Sequence, residues 1–473
     1  MEKHPSLREG LRQLRLTSLP AWRDRLIVWS AALAAGLAVV AFTTLCDLAT
    51  EAFQHMRAFS VWTPFIVTPL ATALVVWITR RLVPFAAGSG IPQVMTALHP
   101  SQRLDADISR FVSLRVAVAK VLLTTGALMA GLSLGREGPS VQVAASVMYG
   151  FRRIFGRLHG ANAKDLILAG GAAGMAAAFN APLAGIVFAI EELSRRFEQR
   201  SSGLLITAIV LAGLVSISIE GNFTYFGQLR VQSVSPSLLP AALIVVVSSG
   251  LLGGAFSRLL LLCATGRFGW PSRARDRHPV GFAAACGLMV GLLGYLSNGT
   301  AHGSGYTFAR EMLEGAPNVP LVFVAVKFLA TWLTYWSGVP GGIFSPCLAI
   351  GAGLGNDVAQ LTHSPASVAL IALGMAAFLA AVTQAPITTF IIVMEMVDGH
   401  GLVLSLMASA LASSLIARLI SPPLYPALCQ NLLLSAGINE APREPGQEPL
   451  AARGPPVGKA AAVTDAAQTD PTD

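Results

Sequence analysis

The chain has 473 residues, of which 53% are hydrophobic and only 12% charged, with a formal net charge of +8. Soluble domains carry about 25% charged residues, so this few charges cannot cover a water-exposed surface of this size, and a bilayer is the solvent that fits. The positive charge does not mark a nucleic-acid binder, because no soluble basic domain with interleaved aromatics is present.

In chain order, residues 1–25 hold Lys3, Arg8, Arg12, Arg15, Arg23 and Arg25. Basic residues beside a first span stay in the cytoplasm, so the N-terminus is expected there. The first apolar run, Leu26–Cys46, is too long for the h-region of a cleavable signal and lacks a clear small-residue cleavage site. Charge-free runs follow at Ala58–Thr79 and Leu166–Ile190, and each meets the roughly 20 residues a spanning helix needs. Later apolar runs are uneven in length and interrupted by Gly and Pro, which predicts tilted and broken helices. One membrane domain is expected over residues 26–438. Its last stretch holds Pro422, Pro423 and Pro426, then the apolar Leu432–Leu434, and suits a short helix returning to the membrane face. Residues 439–473 are Ala, Pro, Gly and charge, which predicts a disordered tail too short for a folded regulatory domain. Cys46, Cys263, Cys286, Cys347 and Cys429 are widely spaced in or beside apolar stretches. They lack metal-ligand spacing and read as small core residues.

Residues 170–182 (GGAAGMAAAFNAP) and 374–386 (GMAAFLAAVTQAP) match at seven of 13 positions with a constant offset of 204. Five matches are Ala, so an Ala-rich coincidence competes. The Ala-Pro pair and the pairing of Glu191 with Glu395 favour a true repeat. Repeated halves mark secondary transporters, whose site lies near the midplane between them; the sequence alone does not say whether the halves are inverted.

Three Gly/Pro-rich breaks interrupt the apolar runs: Gly88-Ser89-Gly90-Ile91-Pro92, Gly135-Arg136-Glu137-Gly138-Pro139, and Gly341-Gly342-Ile343-Phe344-Ser345-Pro346. Pro suits the first turn of a helix, and Gly lets the preceding backbone turn or approach a ligand closely. Each break therefore reads as a helix N-terminus inside the membrane domain, tolerated where it is buried in protein or lines a water-filled cavity. Unpaired N–H groups and the positive end of the dipole make such a terminus an anion site. A single break would be a kink or a packing turn; three of one design argue for a shared anion site. Glu137, a carboxylate at such a terminus, would compete with an anion for the same amides, and protonation would remove its reason to stay. Its alternative role is capping by an acidic first-turn residue. Arg136 reads as structural or as part of the surrounding field.

GSGIP, GREGP and GIFSP, in this order and spacing, resemble the three signature motifs of the CLC chloride channel and transporter family. The resemblance covers roughly residues 26–438 and extends to Asn180-Ala181-Pro182-Leu183-Ala184-Gly185 with Glu191-Glu192, and to Pro423-Leu424-Tyr425. It implies an all-α integral membrane fold of two inverted-topology repeats, and a homodimer with one ion path per subunit. It also implies no cofactor, chloride as the transported ligand, a tail without CBS domains, and a bacterial inner membrane with both termini cytoplasmic. By the resemblance, Ser89 and Tyr425 offer hydroxyls to a central chloride, and the amides of Ile343 and Phe344 reach it from the opposite half. Glu137 resembles the gating glutamate, and Glu192 the internal proton-transfer residue of the antiporters, a position commonly apolar in channel members. Glu192 could instead be a membrane-edge carboxylate paired with Arg195 or Arg196. Several antiporters carry acids just after GSGIP, where this chain has Gln93, Val94 and Met95, so any network supporting the proton path must differ. Ser345 is a mild variant of the third motif. Ser89 and Tyr425 match the chloride rather than the fluoride members.

The expected activity is proton-coupled chloride antiport without enzymatic chemistry. A passive chloride channel of the same fold is the nearest rival. An intramembrane hydrolase would need a base such as His302 to activate Ser89 or Ser304.

Overall fold

A computed structural model describes residues 19–100, 108–152, 162–194, 202–221, 224–227, 238–315, 319–364 and 366–438. Helix is the dominant element because a spanning segment must satisfy its backbone groups without water, and a helix does so internally. In chain order the α-helices are α1 (Leu19–Phe59), α2 (Thr63–Leu82), α3 (Ile91–Leu98), α4 (Leu114–Met129), α5 (Glu137–Gly150), α6 (Ala163–Phe179), α7 (Pro182–Phe188), α8 (Ser202–Glu220) and α9 (Leu239–Ala264). They continue as α10 (Trp270–Arg277), α11 (Pro279–Leu296), α12 (Tyr306–Leu313), α13 (Phe323–Ser337), α14 (Phe344–Leu361), α15 (Ser367–Thr383), α16 (Pro386–Met396), α17 (Val403–Arg418) and α18 (Leu424–Ser435). Among the described residues, seven helical stretches are long and apolar enough to cross a bilayer. The 41 residues of α1 would run about 60 Å at 1.5 Å per residue. That is about twice the hydrocarbon thickness, so this helix must cross obliquely or project beyond the bilayer.

The burial pattern is that of a protein solvated by lipid. On α2, Leu70, Leu74 and Trp77 face outward, whereas Thr68, Thr72, Val75, Val76 and Thr79 are buried. Burying apolar side chains gains little when the surrounding solvent is equally apolar, so small and hydroxylated residues take the helix contacts. Helix α15 is buried from Ala369 through Thr383 on all sides, as expected for a core helix. The five cysteines are buried too.

The repeat has a structural counterpart in the same register. Asn180 and Gln384 both take the left-handed conformation, with φ 52° and 59°, and end α6 and α15 by donating to Ala176 O and Ala380 O. Pro182 and Pro386 then open α7 and α16. The Glu191 carboxylate accepts from Ile387 N at 3.1 Å and Thr388 N at 2.6 Å. Glu395 accepts from Leu183 N at 3.1 Å and Ala184 N at 2.7 Å. Each half thus caps a helix of the other through equivalent atoms, and such an exchange of identical contacts requires a local twofold axis.

Leu166–Ile190 is not one span: it breaks at Asn180 into α6 and α7, and continues as a wider π turn over Ala189–Ser194. The helix expected after Pro422 is α18. Residues 1–18 of the basic lead-in, the tail from 439 to 473, and Arg195 and Arg196 lie outside the described residues.

Candidate functional site

The three Gly/Pro-rich breaks meet at one place. Gly88 N donates to Val339 O at 3.2 Å and Gly341 N to Gly88 O at 3.0 Å, tying the first break to the third. Gly135 and Gly342 exchange a reciprocal pair of bonds, 2.8 and 2.7 Å long, tying the second to the third. These short bridges point the N-termini of α3, α5 and α14 into a common interior. All three helices start within their motifs: Ile91 is the first residue of α3, Glu137 of α5 and Phe344 of α14. Pro92, Pro139 and Pro346 sit in the first turns, as expected, where the missing N–H has no acceptor to lose.

Ser89, on the turn before α3, and Tyr425, in the first turn of α18, bring their hydroxyls together. Both are buried, and neither oxygen has a partner in full hydrogen-bonding geometry among the described residues. Leaving such a donor unmet costs roughly 1–3 kcal/mol, so paired orphan hydroxyls fit a ligand that accepts hydrogen bonds. The Tyr425 ring stacks on Phe344 at 6.0 Å with 16° between planes. That stacking brings the start of α14 beside the hydroxyls. Ile343 caps α14 and Phe344 begins it, and N–H groups at these positions have no intrahelical acceptor.

Glu137 is fully buried. Its carboxylate accepts the Ser345 hydroxyl and, at 3.4 Å, the Ser345 backbone N–H. A negative side chain from one half therefore sits on the positive end of α14 in the other. The close approach depends on two glycines. A Cβ on Gly135 would strike the Glu137 carboxylate, and one on Gly138 would strike the Ser89 hydroxyl.

On one side Glu137 borders a cavity of about 330 Å³, lined also by Cys46, Asp47, Glu51, Arg136, Tyr225 and Tyr306. Arg136 pairs with Asp47 at 2.5 Å and donates to Thr43 O at 2.8 Å, so its charge belongs to the cavity wall. Glu192 is buried in the π turn and lies within electrostatic reach of Tyr425.

Three contributors escaped the sequence reading. Ser345, taken there as a mild variant, is the seat of Glu137. Lys120 Nζ donates to Ala86 O at 2.8 Å and Gly88 O at 2.6 Å, holding the backbone that carries Ser89. Lys327 Nζ donates to Ala301 O, His302 O and Gly303 O at 3.3, 3.1 and 2.7 Å. A cation within an apolar helix was the available signal for both lysines. Gln93 occupies the place of the absent acids, and its amide donates to Ala87 O at 2.6 Å. His302 turns Nδ1 to Gly131 O at 2.7 Å and packs Nε2 against Gly294. Neither nitrogen addresses Ser304, and among the described residues no base pairs with Ser89.

Helix N-termini converging on orphan hydroxyls and one buried carboxylate, inside twofold-related bundles of membrane-crossing helices, define a membrane protein built to handle a small anion. A family model described as voltage gated chloride channel matches residues 71–418, and the chain belongs to this CLC family. It is 32% identical to the H(+)/Cl(-) exchange transporter ClcA of Salmonella agona, over 79% of this chain and 80% of the relative. A second exchanger of that name, from Citrobacter koseri, is also 32% identical, over 74% of each chain. Among solved structures, a slow cyanobacterial Cl-/H+ antiporter matches with TM-score 0.77 and 24% identity, covering 88% of this chain and 99% of that one. A CLC-type fluoride/proton antiporter matches with TM-score 0.69 and 22% identity, covering 87% and 99%. These structural likenesses bear on the fold.

Proposed function

We propose that the protein is a secondary active transporter exchanging chloride for protons across a bacterial inner membrane, with both termini cytoplasmic, as a homodimer with one ion path per subunit. The observation that carries the reading is the Glu137 carboxylate resting on the N-terminus of α14 beside orphan hydroxyls. Ser89 and Tyr425 hydroxyls and the Ile343 and Phe344 amides hold a central chloride. Ionised Glu137 takes the neighbouring anion position on Ser345. Protonation cancels the charge that binds it there, the side chain leaves, and chloride occupies the amides. One group is thus both gate and proton carrier, which ties the two fluxes together. Glu192, buried near Tyr425 on the other side of the hydroxyl pair, supplies the proton from the inner face. Exchangers among the relatives support this reading.

Liposomes loaded with chloride and diluted into low-chloride medium, with potassium and valinomycin to balance charge, test it. Chloride leaving down its gradient should drive protons inward, recorded as a rise in external pH by one electrode while a second follows chloride. A passive channel would release chloride with no proton movement. Glu192→Gln should retain chloride flux and lose proton flux; undiminished proton uptake would remove Glu192 from the path.

A further inference from the structure

We propose that Tyr225 is a positioning residue that receives the Glu137 side chain when it leaves Ser345, holding the released carboxyl group at the mouth of the ion path through its phenol. The proposal rests on the gate reading of Glu137.

Tyr225 lies on residues 224–227, between α8 and α9. Phe226 N donates to Met396 O at 2.9 Å, and the Tyr306 hydroxyl donates to Tyr225 O at 2.7 Å. The Tyr225 ring meets Tyr306 at 4.8 Å, Phe226 at 5.1 Å and Phe179 at 5.9 Å, all edge to face. Backbone and ring are therefore fixed by contacts that leave the phenol hydroxyl out. No hydrogen bond from that hydroxyl is found among the described residues.

The ring belongs to a longer series. Tyr425 stacks on Phe344 at 6.0 Å, Phe344 meets Phe179 at 6.2 Å, and Phe179 meets Tyr225. This aromatic wall runs from the central hydroxyl pair to the outer cavity and carries a tyrosine at each end. Glu137 is seated at Ser345, next to Phe344 in that wall. Behind the seated carboxylate, Gly135 and Pro346 close the space. The cavity that Glu137 itself lines, shared with Tyr225, is the open direction.

The charged and titratable groups facing this space come from every neighbouring element: Cys46, Asp47 and Glu51 of α1, Arg136 before α5, Tyr306 of α12 and Cys347 of α14. Asp47 and Arg136 are committed to each other, and the Tyr306 hydroxyl to a backbone carbonyl. Thiols are weak donors, and a carboxylate donates only when protonated. The Tyr225 phenol lies in the field of Arg136, Glu137 and Asp47 and, unlike the Gln54, Ser304 and Thr307 side chains that also line the cavity, it stands on the aromatic wall that leads from Phe344 beside the seat of Glu137.

Tyr225→Phe keeps the ring contacts and both backbone bonds and removes only the hydroxyl. Without its receiving partner the released state is less favoured, so more protonation is needed to reach it. The midpoint of proton-coupled exchange should move to lower pH by up to about one unit, the scale of one neutral hydrogen bond. Passive chloride flux through Glu137→Ala, which has no carboxyl group to receive, should change less than about twofold when Tyr225→Phe is added. An unshifted pH profile overturns the proposal. So does an equal loss of flux with and without the Glu137 side chain, which would mark Tyr225 as structural. Proton coupling that survives in Glu137→Ala alone would strike the gate reading itself, and the proposal with it.

Discussion

Ser345 and Glu137 are 208 residues apart, yet the hydroxyl and amide of one hold the carboxylate of the other. Hydrogen bonds to a charged group contribute about 1.5–3 kcal/mol, so this contact holds the side chain firmly at the start of α14. Ser345→Ala removes the hydroxyl and leaves the amide. That bond is part of what holds the carboxylate at Ser345, so under the proposed gating role the side chain should leave its seat at higher pH than in wild type. Exchange rates measured against pH should shift upward by about one unit; an unchanged profile would mean that the serine merely packs. Glu137→Gln carries no charge to compete with chloride and no proton to deliver. It should pass chloride passively with no proton movement and little pH dependence, whereas wild type should become more active as pH falls. If Glu137 were only a capping residue, the same variant would lose about 0.5–2 kcal/mol of stability and keep its coupling. Chloride-driven proton uptake in Glu137→Gln liposomes therefore separates the two roles. The motif GREGP made Glu137 visible from the sequence. Its seat was not visible, because nothing local in GIFSP says which side chain from the other half arrives at Ser345.

At the scale of elements, α7 and α16 are held by a trade. Glu191 caps the start of α16 and Glu395 the start of α7. Both helices begin with a proline at a buried crossing, where first-turn amides away from water need an acceptor. Glu191→Ala and Glu395→Ala should each cost about 0.5–2 kcal/mol, the range of a lost cap. Because the two caps stabilise one crossing, the double variant should cost less than the sum of the singles. Thermal unfolding in detergent checks this, and strict additivity would mean that the caps act independently. The sequence repeat placed Glu191 against Glu395 correctly, since a shared offset is a property of the chain alone. It did not show that each glutamate serves the other half, which only the packed twofold arrangement decides. The break at Asn180 was similarly hidden. Leu166–Ile190 is free of charge throughout, and the left-handed cap at Asn180 before Ala181-Pro182 divides it.

At the scale of the whole molecule, every group assigned to the site comes from one chain: Ser89, Glu137, Glu192, the start of α14 and Tyr425. In the proposed homodimer, two copies would therefore form two independent paths. A linked pair carrying Glu137→Gln in one copy should keep about half the proton flux of the wild-type pair, by the additivity of non-contacting sites. Flux near zero would mean a shared path. The sequence by itself determined that the chain lives in a bilayer, that its helices are broken, that three N-termini are exposed within it, and that its halves repeat at an offset of 204. These are features of composition, local backbone chemistry and chain register, and each can be read without knowing which segments meet. The tertiary structure adds that Ser345 seats the Glu137 carboxylate, that Lys120 braces the turn bearing Ser89, that Glu192 is buried near Tyr425, and that Tyr225 lines the same cavity as Glu137. Each of those facts is a contact between segments distant in sequence. In a lipid-solvated bundle, interior faces are chosen by close packing and by the pairing of buried polar groups, and both depend on which helices meet.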